Sequence, residues 1–394
     1  MTAPRNFRVN NICKVHRRAA RLVQVLATMT VISGCAAVSG GDSGARAPLS
    51  APAVATRCQA DAAAWLASLD ADKRKKAQWP FDEKLRKTWL FVNNNSAVYV
   101  RKEGLAFEEM GEAQRILGHA LIGCALSSQG YGKAAGIMRV ADIHRGLNDP
   151  TLTALRENRP GMPSVQIGAT WYWLAVFGEP SATEPWQVQL EGHHLVLNFT
   201  FVGDQVSVTP TMMGARPATV ENGPYAGWNV LTFEKKRGMA LLASLSPEQR
   251  KTAILGVTIP EDIFTSPLRN EAITGYQGIS GGDLDDAQQS LLWQLVEEFV
   301  RNHDPEIAGP KLADIRADGI DRLYFAVMGP TPDGALYYRI HGPSVLIEFD
   351  NSLNRGENVP DPNHVHSILW YPGTDMGEDL LKRHYESGEH THAH

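Results

Sequence analysis

Histidines at short spacings carry the clearest chemical signal in this sequence: His193 and His194 adjoin, His364 and His366 stand two apart, and His384 lies downstream. Residues two apart on a β-strand project from one face, so His364 and His366 can grip one metal ion. Around the first pair the apolar residues Trp186, Val188 and Leu190 fall on even positions, and Leu195, Leu197, Phe199 and Phe201 on odd ones. The alternation slips by one residue. A β-bulge at Gly192-His193-His194 accounts for the slip, and bulges re-aim side chains beside active sites. Both histidines would then face the polar side of the strand with Gln187, Gln189 and Glu191. Glu348 and Asp350 share a face of another strand. The expected ligand set is therefore His193, His194, His364, His366, His384 and Asp350, a donor mix suited to zinc, copper or iron. Glu348 or Glu191 would accept a proton from a metal-bound water. The alternative is that the two pairs lie on different sheets, each satisfied by local hydrogen bonds. His119, within a helical stretch, and His341, before a Gly-Pro turn, are weaker candidates. The terminal His390, His392 and His394 could scavenge metal, but a disordered tail cannot preorganise catalysis.

A second signal is weaker. Gly278-Ile-Ser280-Gly-Gly282 fits the G-x-S-x-G pattern of serine esterases, yet that elbow needs an apolar strand before the serine and a helix directly after it. Here the preceding residues Asn270 to Gln277 are polar and glycine-rich, and the next helix starts with its own cap at Asp285. No P-loop, dinucleotide fingerprint or paired-cysteine metal motif is present.

The elements that must position these residues divide by periodicity. From Arg57 to about Gly146 apolar residues recur at helical spacing, interrupted by a strand-like stretch from Thr88 to Arg101. Helix starts are marked at Asp70, Gly111, Ser246 and Asp285, each followed three residues later by Lys73, Gln114, Gln249 or Gln288. Residues 168–210 alternate with period two and read as antiparallel sheet. Helices return over 234–255 and 285–301. A second sheet region covers Arg322 to Asp350, with Asp333-Gly334 as a hairpin turn, followed by a strand over His364 to Trp370 and a helix from Asp375 to His384 capped by Asp375 and Glu378. Helices and strands are segregated, so the fold class is α+β, a helical N-terminal part packed on antiparallel sheet with further helices.

Residues 1–34 read as a bacterial lipoprotein signal. Six cationic residues precede an uncharged run from Leu22 that ends in Ile32-Ser33-Gly34-Cys35, too short to span a bilayer. Cys35 is the expected lipidation site, and residues 36–56 a flexible tether. A single large domain is expected over 57–386, then a disordered His-rich tail over 387–394. Taking the six cationic residues of this acid-free segment from 38 basic and 43 acidic residues leaves a net charge near −11, which disfavours a nucleic-acid partner. Once Cys13 leaves with the signal and Cys35 takes the lipid, Cys58 and Cys124 remain. In an oxidising compartment they should pair, unless both are separate buried thiols.

Phe107 to Gly132 with Leu126-Ser-Ser-Gln-Gly-Tyr-Gly132, Phe177-Gly-Glu-Pro-Ser181, Glu191-Gly-His-His-Leu-Val-Leu-Asn-Phe-Thr200, Tyr337-Tyr-Arg-Ile-His-Gly-Pro343, Ile347-Glu-Phe-Asp-Asn351, Asn363-His-Val-His366 and Gly377-Glu-Asp-Leu-Leu-Lys-Arg-His-Tyr385 together form an ordered set of motifs. In these the chain resembles the uncharacterised domain of unknown function 3500 family over nearly all of its mature length. The resemblance implies no established activity, but His193, His194, Glu348, Asp350, His364, His366 and His384 all fall inside its motifs. His341 stands where the family often has Gln.

These features point to a metal-dependent extracytoplasmic enzyme, more a hydrolase than an oxidoreductase, of unnamed substrate; a non-catalytic metal- or ligand-binding lipoprotein is the alternative. Its membrane partner would be reached through the lipid anchor, in an outer membrane facing the periplasm where the cell has one, since no Asp follows Cys35. Blocking lipoprotein signal peptidase should therefore leave a precursor about 3 kDa heavier in peptide mass, from 34 residues at roughly 0.1 kDa each. A soluble, unlipidated mature protein would contradict this.

Overall fold

The computed structural model describes residues 48–92, 103–146, 166–267, 273, 275–329, 334–354 and 359–387. The proposed signal, Cys35, most of the tether, Asp333, residues 93–101 of the strand-like stretch and the tail from residue 388 lie outside these. The chain from Ala47 onward is one compact unit.

Thirteen strands among the described residues form one mixed sheet: β1 (Gln78–Trp79), β2 (Leu105–Ala106), β3 (Tyr172–Phe177), β4 (Trp186–Gly192), β5 (Leu195–Val202), β6 (Gln205–Ser207), β7 (Thr211–Ala215), β8 (Ile254–Gly256), β9 (Ile279–Ser280), β10 (Tyr324–Met328), β11 (Tyr337–Gly342), β12 (Val345–Asn354) and β13 (Val359–Trp370). The spatial order is β1-β3-β4-β5-β7-β13-β12-β11-β10-β8. Two blocks read from the sequence as separate sheet regions thus join through the antiparallel β7–β13 pair, where Gly214 meets His366 and Ala215 meets Val365. The class is α+β, as the segregation of helices and strands implies.

The two faces of this sheet differ. One face carries Leu195, Leu197, Phe199 and Phe201, which pack with Trp65, Leu121, Ile137, Leu292 and Leu295 of the helices into the main core. The other face is polar and still buried: Gln187, Gln189, Asn198 and Thr200 are all nearly inaccessible. Some of their hydrogen bonds go to the segment laid across them. The Gln187 and Gln189 amides donate to the Arg86 carbonyl, and Gln189 also donates to Asn198. Trp89, Phe91, Ile263 and Met376 then seal a smaller apolar cluster against Val196, Met212 and Ile368.

Helix starts follow their local chemistry. The Asp70 and Ser246 side chains accept from Lys73 N and Gln249 N, and Asp285 accepts from Gln288 N. Gly111 has no side chain, so only Gln114 reaches back to its N–H. The helix Pro52–Ala67 begins inside the stretch expected as tether, with Ala51 and Val54 buried; Pro52 presets the first helical φ. Its Cys58 lies at disulfide distance from Cys124, S–S 2.03 Å, joining it to the helix Glu112–Gly123. The helix Pro305–Asp318 escapes sequence reading because its interior holds Pro310 and its apolar face is weak.

Asp375 does not cap the last helix, which runs Glu378–Glu386. It accepts instead from the Thr209 hydroxyl and the Tyr371 N–H. Burial outweighs these donors and the Lys311 charge, pushing its carboxyl up to about 7. The folded state therefore holds the proton more tightly than the unfolded chain, and the cost of ionising Asp375 grows as pH rises from about 4 through 7. Asp375→Asn keeps the acceptor oxygen and removes that cost. The variant should gain stability relative to wild type between pH 5 and pH 8, by about 2–4 kcal/mol at 1.36 kcal/mol per pKa unit. Parallel denaturation midpoints across that range would refute it.

Candidate metal centre

Antiparallel register assembles the site in two adjacent rows. Asp350 pairs with His366, which pairs with Gly214. Directly opposed residues share a face, so Asp350 and His366 point to the polar side together, and His364 follows two residues along. Gly214 leaves the room His366 needs. A Cβ there would meet the Val365 carbonyl oxygen at 2.5 Å and His366 Cδ2 at 3.2 Å.

His194 arrives from a turn, not a bulge. Leu190 pairs with Leu197 and Gly192 with Leu195, so β4 and β5 form a hairpin closed by His193-His194 alone. Partners across such a hairpin have opposite parity, which produces the same one-residue slip that a bulge would. His194 sits at φ 66°, in the left-handed region where His is among the enriched non-glycine residues. Two backbone bonds hold it: His194 N donates to the Phe91 carbonyl at 2.8 Å, and Gly214 N donates to the His194 carbonyl at 2.7 Å.

Three imidazoles then converge. His194 Nε2 lies 2.9 Å from His364 Nε2, which lies 3.1 Å from His366 Nε2. All three candidate ligand atoms fall within 4.8 Å of one another. Tetrahedral zinc with nitrogens at 2.0–2.1 Å has N···N edges of about 3.3 Å, so the observed spacing suits a single ion. Burial first, then the neighbouring rings, holds His194 and His364 well below the ordinary imidazole pKa, His364 also sensing Arg216. Both are neutral, with lone pairs to give.

The third ring is oriented by a carboxylate. His366 Nδ1 lies 2.7 Å from Asp262 Oδ1, and Asp262 is fully buried. A carboxylate only accepts, so Nδ1 carries a proton, and in the neutral ring Nε2 presents its lone pair. Such a carboxylate–histidine pair is the usual outer support of a histidine metal ligand. Asp262 is absent from the sequence-derived candidates, because a lone Asp in an irregular segment carries no periodic or spacing signal.

The other candidates are placed elsewhere. His193 stacks its ring on His194 at 3.8 Å and on His144 at 5.5 Å, outside the ligand group. Glu348 is held by donors of its own. Its oxygens accept from Phe264 N, Thr265 N, the Thr265 hydroxyl and the Tyr337 hydroxyl. Burial pushes its carboxyl up against those donors. It pins residues 264–265, next to Asp262, onto β12. Asp350, fully buried beside His366, and Glu191, buried on β4, share the site's face without joining the three-histidine group. His384 stands 3.9 Å from Glu184 on the helix that packs with Val202, at the far end of β5. At about 3.3 Å per residue that end is roughly 26 Å from His194. His119 contacts the Tyr131 hydroxyl, and His341 packs on Tyr276. Ser280 donates to the Asp321 carbonyl and caps a 3-10 turn, so it forms no nucleophile elbow.

The chain belongs to a family of unknown function. Residues 51–378 match the family described as "Protein of unknown function (DUF3500)". No curated protein and no solved structure matches it.

Proposed function

We propose that the protein is a metal-dependent enzyme of hydrolytic type, with a divalent ion held by His194, His364 and His366. The observation that carries this reading is the convergence of three Nε2 atoms with Asp262 behind His366. A zinc ion on three imidazoles has a fourth tetrahedral position, and a water bound there ionises near pH 7. Asp350, the cross-strand neighbour of His366, is the carboxylate we assign to accept the proton, in place of the pinned Glu348. The cationic and apolar run of residues 1–35 supports an extracytoplasmic, lipid-anchored location.

Elemental analysis of the full chain should find one more tightly held divalent ion in wild type than in His364→Ala. Both carry the His-rich tail, so the difference counts the site alone. Asp262→Asn should keep the ion about 10–100-fold more weakly, as loss of such support usually does, and His384→Ala should match wild type. The zinc-loaded protein should hydrolyse p-nitrophenyl acetate, and His364→Ala should not. Equal metal content in wild type and His364→Ala overturns the metal centre; metal binding without hydrolysis favours the non-catalytic lipoprotein.

A further inference from the structure

The centre is not equally buried on all sides. His194 and His366 are about 4% and 3% exposed and Asp262 fully buried, whereas His364, Asp361, Asn363 and Arg216 are partly exposed. The partly exposed residues thus lie on the His364 side of the group. On that side the register brings in a cation. β7 pairs Gly214 with His366 and Ala215 with Val365, so Arg216, the next residue, leaves β7 beside His364, whose imidazole senses its charge. The chain stays beside β13 past this point, since Ala218 N donates to the Asn363 carbonyl at 2.6 Å. Cross-strand neighbours have Cβ atoms about 4.5–5.5 Å apart, so the guanidinium and the imidazole belong to one patch of surface. Arg216 meets Asp361 through Nε at 3.5 Å. That is longer than the 2.7–2.9 Å of a well-formed charge-assisted bond, so the Arg216–Asp361 pair is a loose one.

We propose that the ligand of this centre carries an oxyanion, a carboxylate or phosphate group, with one oxygen on the metal and another on Arg216. The inference rests on the metal reading above and adds the class of ligand to it. A dication held by neutral imidazoles and a guanidinium one strand spacing away form a two-point cationic seat. Arginine is suited to it because its planar fork matches two oxygens of one anion. His364 and Arg216, both partly exposed, lie on the side of that seat.

The test uses the full chain loaded with cobalt(II), whose visible bands report changes at the metal, titrated separately with inorganic phosphate and with acetate. In wild type at least one of the two should shift the bands saturably, and the tighter of them identifies the oxyanion. Arg216→Gln should keep the cobalt and bind that anion about 10–100-fold more weakly, the usual loss for a charge-assisted contact. Asp361→Asn should bind it more tightly, because the competing carboxylate is gone. Should Arg216→Gln lose cobalt, Arg216→Lys decides: it must keep cobalt and bind the anion more weakly than wild type, a point charge replacing the fork. Cobalt bound in wild type with neither anion perturbing it, or with equal affinity in both Arg216 variants, overturns the oxyanion seat and leaves the metal centre standing. No cobalt in wild type overturns the metal centre and the seat with it.

Discussion

Three imidazole nitrogens brought within hydrogen-bonding distance cannot all be satisfied by protons. Asp262 fixes a proton on His366 Nδ1, so in the neutral ring His366 Nε2 is a lone pair. His364 Nε2 then faces two nitrogens, at 2.9 and 3.1 Å, with either one proton or one lone pair. If it holds the proton, one N–H must be shared between two acceptors; if not, two lone pairs meet at 3.1 Å. In a buried setting an unmet polar contact of this kind is costly. A cation among the three nitrogens removes the conflict, and the surrounding structure reads as support for it.

That support comes from segments remote in sequence. β13 supplies His364 and His366, the β4–β5 turn supplies His194, and the irregular chain around Asp262 orients His366. Glu348 anchors this last segment through three donors, one of them the Thr265 hydroxyl, which itself accepts from Trp370 Nε1 at 2.8 Å. Polar groups on the sheet's second face pair with the covering chain and with one another: Gln187 and Gln189 donate to the Arg86 carbonyl, and Thr200 donates to Gln187. The helical face carries the apolar core. A single sheet thus separates the demands of stability from those of chemistry.

The extent to which this is legible from sequence differs by element. Helix caps are legible because Asp70, Ser246 and Asp285 act on backbone N–H groups three residues away, a wholly local matter. The cysteine pair is legible because compartment and count leave few options. Histidine spacing marks β13 as a chelating strand. The Gly192 slip is ambiguous, since a bulge and a two-residue hairpin shift parity alike, and only pairing of Leu190 with Leu197 separates them. That ambiguity hides which of His193 and His194 turns inward. Asp262, Arg216 and the anchoring role of Glu348 depend on register and on packing of an irregular segment, neither of which leaves a periodic trace. His384 shows the opposite error: closeness in sequence to His366 does not bring it near once the sheet is laid out.

X-ray absorption at the metal edge of the zinc-loaded full chain tests the central claim most directly. Three imidazole nitrogens at about 2.0–2.1 Å should dominate the first shell, with the outer-shell scattering of coordinated rings, and His194→Ala should lower the imidazole count. A shell of oxygens without imidazole scattering, or one unchanged by His194→Ala, would contradict a centre built on His194, His364 and His366.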